Sequence, residues 1–454
     1  MPPVPSLDRV AVATGLALAL ALPLGAAPSA RASSTPAPVG GEGSTLRAFR
    51  DAPPTGTPVT GTPTVVGAPA VTPGRYLDEL LTDGTNHYRL DVPVGTRPYV
   101  AATIVPPRGD YDRSSLEGIT VSLEADRSTC ITEYSPFQDQ GRGLVPATAV
   151  ATLPEAVTGS ADPGCGVAGS YDVTVTRQMS GTDVARVPLE LAVLLEPPVL
   201  DLAGLPDPAV PPPADPPVAV VTGPGAPVVG GGSADMAPAL TPGTYVDALR
   251  PGETSWYRVP VGWGQRLAVT AVVAPVVRGE TRSSTFVAAR LGLANPARQP
   301  MAAQGSSDTG DVRETLYAEG EDDAELRGFT APVTYRNRDA TGTPEVETTS
   351  LAGEQLVSLA IEDYGNGADE TPTGLLPVTL VVEVLGPEQG APTYDAPAGP
   401  GVGQAIRDPS DGGTARSSLA YAGAGAAAAL LAGGLLLAPR AGRRRRPPPN
   451  AAVH

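Results

Sequence analysis

Laid against itself at a displacement of 169 residues, the chain matches without a gap from Thr72–Ser115 to Thr241–Ser284, and 18 of the 44 aligned pairs are identical. The matches include Thr72-Pro73-Gly74 with Thr241-Pro242-Gly243, Tyr76 with Tyr245, Asp78 with Asp247, Tyr88-Arg89 with Tyr257-Arg258, and Arg113-Ser114-Ser115 with Arg282-Ser283-Ser284. Beyond them the register shifts, as it does when loops differ in length: Gly169 meets Gly353, and Val187-Pro188-Leu189 meets Leu376-Pro377-Val378. A period this long is a duplicated domain, not a solenoid of short repeats. Whatever fold residues 72–198 adopt, residues 241–387 must adopt as well.

The two copies decide local structure that neither decides alone. Leu77 to Leu81 reads as a helical turn by itself, but its counterpart, Val246 to Gly252, carries Pro251 and Gly252, which favour a turn after a short strand. Tyr88, Leu90, Val92 and Val94 alternate with polar residues, as do Tyr257, Val259, Val261 and Trp263. Val100, Ala102 and Ile104 repeat as Val269, Ala271 and Val273, and Leu189, Leu191 and Val193 as Val378, Leu380 and Val382. A period of two gives strands with one buried face. With no long segment of helical period in either copy, the expected class is all-β: two antiparallel β-sandwiches.

The run Asn86-His87-Tyr88-Arg89-Leu90-Asp91-Val92-Pro93-Val94-Gly95 resembles the D/S-W-Y-R-F-x-V-P-x-G strand of bacterial pre-peptidase C-terminal (PPC-type) domains, as does Ser255-Trp256-Tyr257-Arg258-Val259. Ala168-Gly169-Ser170-Tyr171-Asp172-Val173-Thr174-Val175 is similar to a second strand of that family. The resemblance implies jelly-roll-like accessory domains on a secreted bacterial protein. All 31 Lys+Arg positions are Arg, the usage of a GC-rich, actinobacterial-type genome. PPC-type domains accompany catalytic modules, and this chain has no room for one.

The remaining length reads as spacers and ends. With 53 Gly and 53 Pro, the chain carries these residues at about twice average usage. They concentrate in a Thr/Pro/Gly-rich linker at 33–71, a Pro/Gly-rich linker at 199–240, and a stalk at 388–417. Such composition buries too little apolar surface to order itself. Residues 1–32 have the order of a secretory signal peptide: Arg9, an apolar run from Val10 to Leu24, and Ala30-Arg31-Ala32 as cleavage site. Ser418 to Ala438 is uncharged and long enough to span a membrane as one helix, and Arg443 to Arg446 follow it. The positive-inside rule then places the tail, 439–454, in the cytoplasm and both sandwiches outside, an expectation of single-pass cell-membrane localisation. Leu419-Ala420-Tyr421-Ala422-Gly423 resembles an LAxTG sorting motif but has Ala422 where a sortase needs Thr, so membrane anchoring is favoured over covalent attachment to the wall.

Few chemistries suit this composition. His87 and His454 are the only histidines, which excludes histidine-rich zinc sites and HExxH motifs. His87 aligns with Trp256, a position for packing or a surface platform rather than a proton shuttle. Between Ser33 and Ser417 stand 47 acidic residues against 24 Arg, a net of 23 negative charges that repels nucleic acid. Cys130 and Cys165 are the only cysteines, and in an oxidising compartment they are expected to pair. Glu319, Glu321, Asp322 and Asp323, and Glu362 to Glu370, supply oxygens for calcium, but their spacing does not match the D-x-D-x-D-G loop, so they read as solvated acidic loops. Tyr88, Arg89, Tyr257 and Arg258 recur in both copies as a candidate ligand platform, although each Tyr lies in phase with the buried positions. No enzyme, metal or cofactor is expected. The expected function is non-enzymatic: an envelope protein whose sandwiches bind a cell-wall polymer or an extracellular or membrane protein. The alternative is a subunit or accessory of an extracellular hydrolase or of a secretion-type membrane complex.

Overall fold

In the computed structural model, the described residues are 56–81, 83–104, 118–125, 128–137, 146–153, 165, 169–178, 186–211, 224–275, 286–302, 312–317, 323–363 and 375–395. They belong to one compact unit. The signal-like segment 1–32, the apolar run 418–438 and the basic tail lie outside the described residues. Among the described residues, no helix is long and apolar enough to cross a membrane.

The structure is all-β, as expected. The N-terminal sandwich has one sheet of β1 (Thr57–Pro58), β3 (Gly74–Leu80), β10 (Val187–Glu196), β5 (Arg97–Ile104) and β8 (Ala147–Thr152), in that spatial order. Its second sheet runs β2 (Ala70–Val71), β4 (Thr85–Val92), β9 (Gly169–Gln178), β6 (Gly118–Ala125) and β7 (Ser128–Pro136). Counting from β3, the eight long strands are ordered first-eighth-third-sixth in one sheet and second-seventh-fourth-fifth in the other, which is a jelly roll. The C-terminal sandwich repeats it. One sheet is β11 (Ala226–Pro227), β12 (Gly243–Leu249), β19 (Leu376–Leu385), β14 (Arg266–Val273) and β17 (Ala324–Phe329). The other is β13 (Thr254–Val261), β18 (Gly353–Asp363), β15 (Phe286–Ala294) and β16 (Val312–Tyr317).

The alternation that predicted these strands fills the two cores. Tyr88, Leu90, Val121, Leu123, Tyr171, Val173 and Leu189 are buried in one, and Tyr257, Val259, Leu291, Val357, Leu359 and Leu380 in the other. β5 departs from alternation and is buried at seven consecutive positions from Pro98 to Ile104. A strand reads this way when both of its faces are covered.

The spacers are shorter than their composition suggests. Residues 57–71 and 226–240, assigned by composition to linkers, pair with the sandwiches. Thr57 and Ala226 pair parallel with Tyr76 and Tyr245, and Thr62 and Gly231 bridge to His87 and Trp256. The displacement of 169 therefore continues upstream of Thr72, where Gly56, Pro58, Val59, Gly61, Ala68, Pro69 and Ala70 are matched by Gly225, Pro227, Val228, Gly230, Ala237, Pro238 and Ala239. Main-chain pairing needs no particular side chain, and Pro58 and Pro227 are tolerated because both lie on edge strands. Residues 199–211 likewise lie on the C-terminal sandwich: Arg336 donates to the Leu202 carbonyl at 2.9 Å and Ala209 N–H donates to Asn337 Oδ1 at 2.8 Å. The start of the stalk returns to the chain, with Leu200 N–H donating to Thr393 O and Asp395 N–H to Pro198 O, each at 2.8 Å.

Candidate functional site

The residues repeated between the copies build the sandwiches rather than a ligand platform. Tyr88 and Tyr257 are both 0% exposed. Their hydroxyls donate to Asp78 Oδ2 at 2.6 Å and Asp247 Oδ2 at 2.7 Å, and the same oxygens accept the N–H of Gly61 and Gly230 at 2.8 and 2.9 Å. A Cβ on Gly61 would stand 2.7 Å from Asn86 Cβ, and one on Gly230 would stand 2.6 Å from Ser255 Cβ, so both crossings require glycine. Burial, reinforced by the Asp78 carboxylate, pushes the Tyr88 phenol far above its ordinary range. Arg89 is exposed on the opposite face, and Arg258 is committed to Ala237 O at 2.6 Å and Glu354 at 2.9 Å. The platform expectation is therefore corrected: burial removes both tyrosines from any ligand.

Cys130 and Cys165 form a disulfide. The acidic positions Glu319, Glu321, Asp322 and 364–370 lie outside the described residues, while Glu362 is 0% exposed and paired with Arg290 at 2.8 Å. His87 accepts or donates across the sheet to Thr174 Oγ1 at 3.2 Å. Its counterpart Trp256 faces the other sandwich.

That facing surface is where the chain departs from its own repeat. The outer face of the β3-β10-β5-β8 sheet packs on the outer face of β13-β18-β15, and two clusters of buried charge cross the junction. In the first, Arg338 donates a bidentate fork to Glu196, Nη1 to Oε2 at 2.8 Å and Nη2 to Oε1 at 2.9 Å. Tyr99 and Tyr394 donate to the same carboxylate at 3.1 and 2.9 Å. The Arg338 guanidinium lies 3.7 Å from the Tyr335 ring centroid and also bonds the Tyr335 and Ser350 carbonyls. Burial works against its charge, but Tyr99 and Glu196 hold it above the ordinary arginine value.

In the second cluster, Arg298 pairs with Glu190 across the junction and with Asp235 at 2.8 Å, and Arg75 reaches Asp235 at 2.5 Å. Burial pushes the Asp235 carboxyl up to about 7; Arg298 and Arg75 pull it down and Glu190 pushes it further up. Arg298 has a φ of 67°, a left-handed backbone that costs about 1–2 kcal/mol in a residue with a side chain. The turn is held by Asn295, whose Oδ1 accepts the N–H groups of Ala297 and Gln299.

Beside this second cluster a cavity of about 100 Å³ opens between the sandwiches. Thr103, Thr148 and Glu190 line it from one side, and Ser233, Trp256 and Arg298 from the other. Among the described residues no group of three or more His, Cys, Asp or Glu is placed to hold a metal ion.

Sequence reasoning missed Glu190, Glu196, Asp235, Arg298 and Arg338. A signal was present in two of them: strand pairing makes Glu190 equivalent to Thr379 and Glu196 to Leu385, so each is an acid in an apolar strand that the repeat does not retain.

No protein-family model matches the chain, and no curated protein matches it. Solved structures that it resembles include the CUB1-EGF-CUB2 domain of human MASP-1/3, at 9% identity over 68% of this chain and 99% of that one, with a TM-score of 0.15. Another is the CBM22-1-CBM22-2 tandem domain of Paenibacillus barcinonensis Xyn10C, at 9% identity over 66% and 82%, with a TM-score of 0.17. A third is the tandem CBM51 modules of Sp3GH98, a family 98 glycoside hydrolase from Streptococcus pneumoniae, at 8% identity over 68% and 83%, with a TM-score of 0.16. Likenesses this slight carry no argument about function.

Proposed function

We propose that the chain is a non-enzymatic cell-envelope protein, secreted and held by one C-terminal membrane span, that presents a fixed pair of PPC-like β-sandwiches outside the cell to bind a wall polymer or a partner protein. The observation that carries this reading is the junction. Two buried charge clusters, Glu196 with Arg338 and Glu190 with Arg298 and Asp235, join two jelly rolls into one body. Buried ion pairs contribute little net stability but are costly to break, so they fix a geometry more than they strengthen it. A fixed geometry suits a surface composed of both domains. The cleavable-signal pattern at 1–32, the uncharged run 418–438 and the arginine block behind it support export and anchoring.

Two experiments test the proposal. Fractionation of cells expressing the full chain, with protease added outside, is expected to leave the protein in the membrane fraction and to remove both sandwiches while sparing the tail. Recovery in the cytosol overturns it. The purified chain from 33 to 416, incubated with cell-wall polymer and with solubilised envelope proteins, is expected to be retained by one of them. Selective capture of an extracellular hydrolase or of a secretion-complex subunit makes the chain an accessory of that assembly.

A further inference from the structure

Among the described residues, the cavity between the sandwiches holds donors without acceptors, beside a Glu190 carboxylate that Arg298 already engages. Arg298 uses Nη2 for Glu190 and Asp235, and its Nη1 has no partner although the residue is only 6% exposed. Ser233 Oγ, in a residue 1% exposed, and Trp256 Nε1 have none either among the described residues. All three residues line the same cavity. Buried polar groups in native proteins are nearly always satisfied, so three orphans around one space call for an occupant. A space of about 100 Å³ admits several waters or one ring-sized group.

The orphans select among occupants. An indole N–H and a guanidinium N–H donate and never accept, and the serine hydroxyl does either; with the Glu190 oxygen in the same cavity already engaged by Arg298 Nη2, the missing group is rich in acceptors. A carboxylate supplies about four lone-pair positions and no donor, and its hydrogen bond to a guanidinium is charge-assisted. The indole adds an apolar edge for the ring or chain that bears the carboxylate. The left-handed backbone at Arg298 fits the same purpose, because strain of this kind collects at ligand sites and persists only where the surroundings hold it.

We infer that the cleft lined by Ser233, Trp256 and Arg298 is a binding site for the carboxylate of a small polar ligand, an acidic sugar or a peptide carboxyl terminus. The inference deepens the binding role proposed above and rests on it only for where the ligand comes from; membrane anchoring can fail while the cleft still binds.

The test follows the Trp256 indole N–H resonance of the purified full chain in detergent, assigned against Trp256→Phe, while D-glucuronate, N-acetylalanine, acetate or D-glucose is titrated. Glucuronate or N-acetylalanine is expected to shift that resonance saturably, acetate more weakly, and glucose not at all. Preference for glucuronate assigns an acidic sugar, and preference for N-acetylalanine assigns a peptide terminus. Ser233→Ala, which leaves both charge clusters intact, is expected to weaken binding about tenfold, the effect of losing one hydrogen bond to a charged acceptor. A glucose shift equal to that of glucuronate overturns the inference. So does the absence of any saturable shift up to tens of millimolar, which leaves water as the occupant.

Discussion

The two sandwiches share a core and differ in their skins. Trp256, Ser358 and Gly292 cross the C-terminal sandwich in one row of paired strands, and Ala360 and Arg290 stand in the next. The same rows in the N-terminal sandwich hold His87, Thr174 and Ser122, then Thr176 and Thr120. One face is covered and carries a Gly, an Ala and an indole. The other carries hydroxyls bonded in cross-strand pairs, such as Ser122 with Thr132 at 2.9 Å. The opposite sheets differ in the complementary sense: Arg75, Tyr99, Thr103, Glu190 and Glu196 meet the junction in the first copy, where the second has Thr244, Ala268, Val272, Thr379 and Leu385. After duplication, each copy kept the interior and specialised one face for the other.

The comparison breaks most sharply at Arg338. Arg338→Ala leaves Glu196 buried without its partner, and a loss of about 3–5 kcal/mol is expected. Denaturant unfolding of the full chain is then expected to show a separate, earlier transition. Glu196→Leu, which copies Leu385, combined with Arg338→Met is expected to recover most of that loss. A double variant as unstable as the single one removes the ion pair as the cause.

The disulfide sharpens the contrast from the other side. Cys130 and Cys165 enclose 35 residues in the first sandwich, and the second has no equivalent. Cys130→Ser with Cys165→Ser is expected to cost about 4 kcal/mol in the chain-entropy treatment. Hydrogen exchange should place the loss in β4, β6, β7 and β9 while leaving β13–β19 unchanged.

A pH titration probes the junction without mutation. Asp235 binds its proton more tightly folded than unfolded, since its carboxyl rises from 3.8 to about 7. Its contribution is therefore complete below pH 4 and is lost as pH rises through 7, at most about 4 kcal/mol at about 1.4 kcal/mol per unit. The groups facing it are Arg298, Glu190 and Arg75. Unfolding followed from pH 4 to 8 is expected to show this decline, and Asp235→Asn is expected to flatten it. An unchanged slope in that variant assigns the decline elsewhere.

The interior was legible because period and repetition both report on it. Tyr88, Leu90 and Val92 announce a buried face, and Tyr257, Val259 and Val261 say so again, which is why strand class and duplication follow from residues alone. The added edge strands at Thr57 and Ala226 were masked by composition: Gly56, Pro58, Val59 and Gly61 repeat as Gly225, Pro227, Val228 and Gly230, but their Pro and Gly content reads as spacer. The cleft was hidden for a different reason. Arg298 and Asp235 lie 63 residues apart on the C-terminal sandwich, and only the docking of the N-terminal one brings Glu190 to them. Composition averages over such residues and marked the segment carrying Asp235 as spacer.

The smallest expected effect tests what the copies hold in common. Tyr88→Phe and Tyr257→Phe each remove one hydroxyl and leave its aspartate other donors, among them Gly61 N–H and Asn86 Nδ2 for Asp78 and Gly230 N–H for Asp247. Each is expected to destabilise its own sandwich by about 1–2 kcal/mol, the cost of one buried hydrogen bond to a charged group. Because the geometry is the same to about 0.1 Å in both copies, 2.6 against 2.7 Å, the two losses are expected to agree within about 0.5 kcal/mol. Equal losses show that the Asp-Tyr-Gly crossing is a shared part of the fold, maintained in both copies for stability. A loss confined to Tyr88 shows instead that docking, not the crossing, supports the C-terminal sandwich, and the shared interior then explains less of that domain than its covered face does.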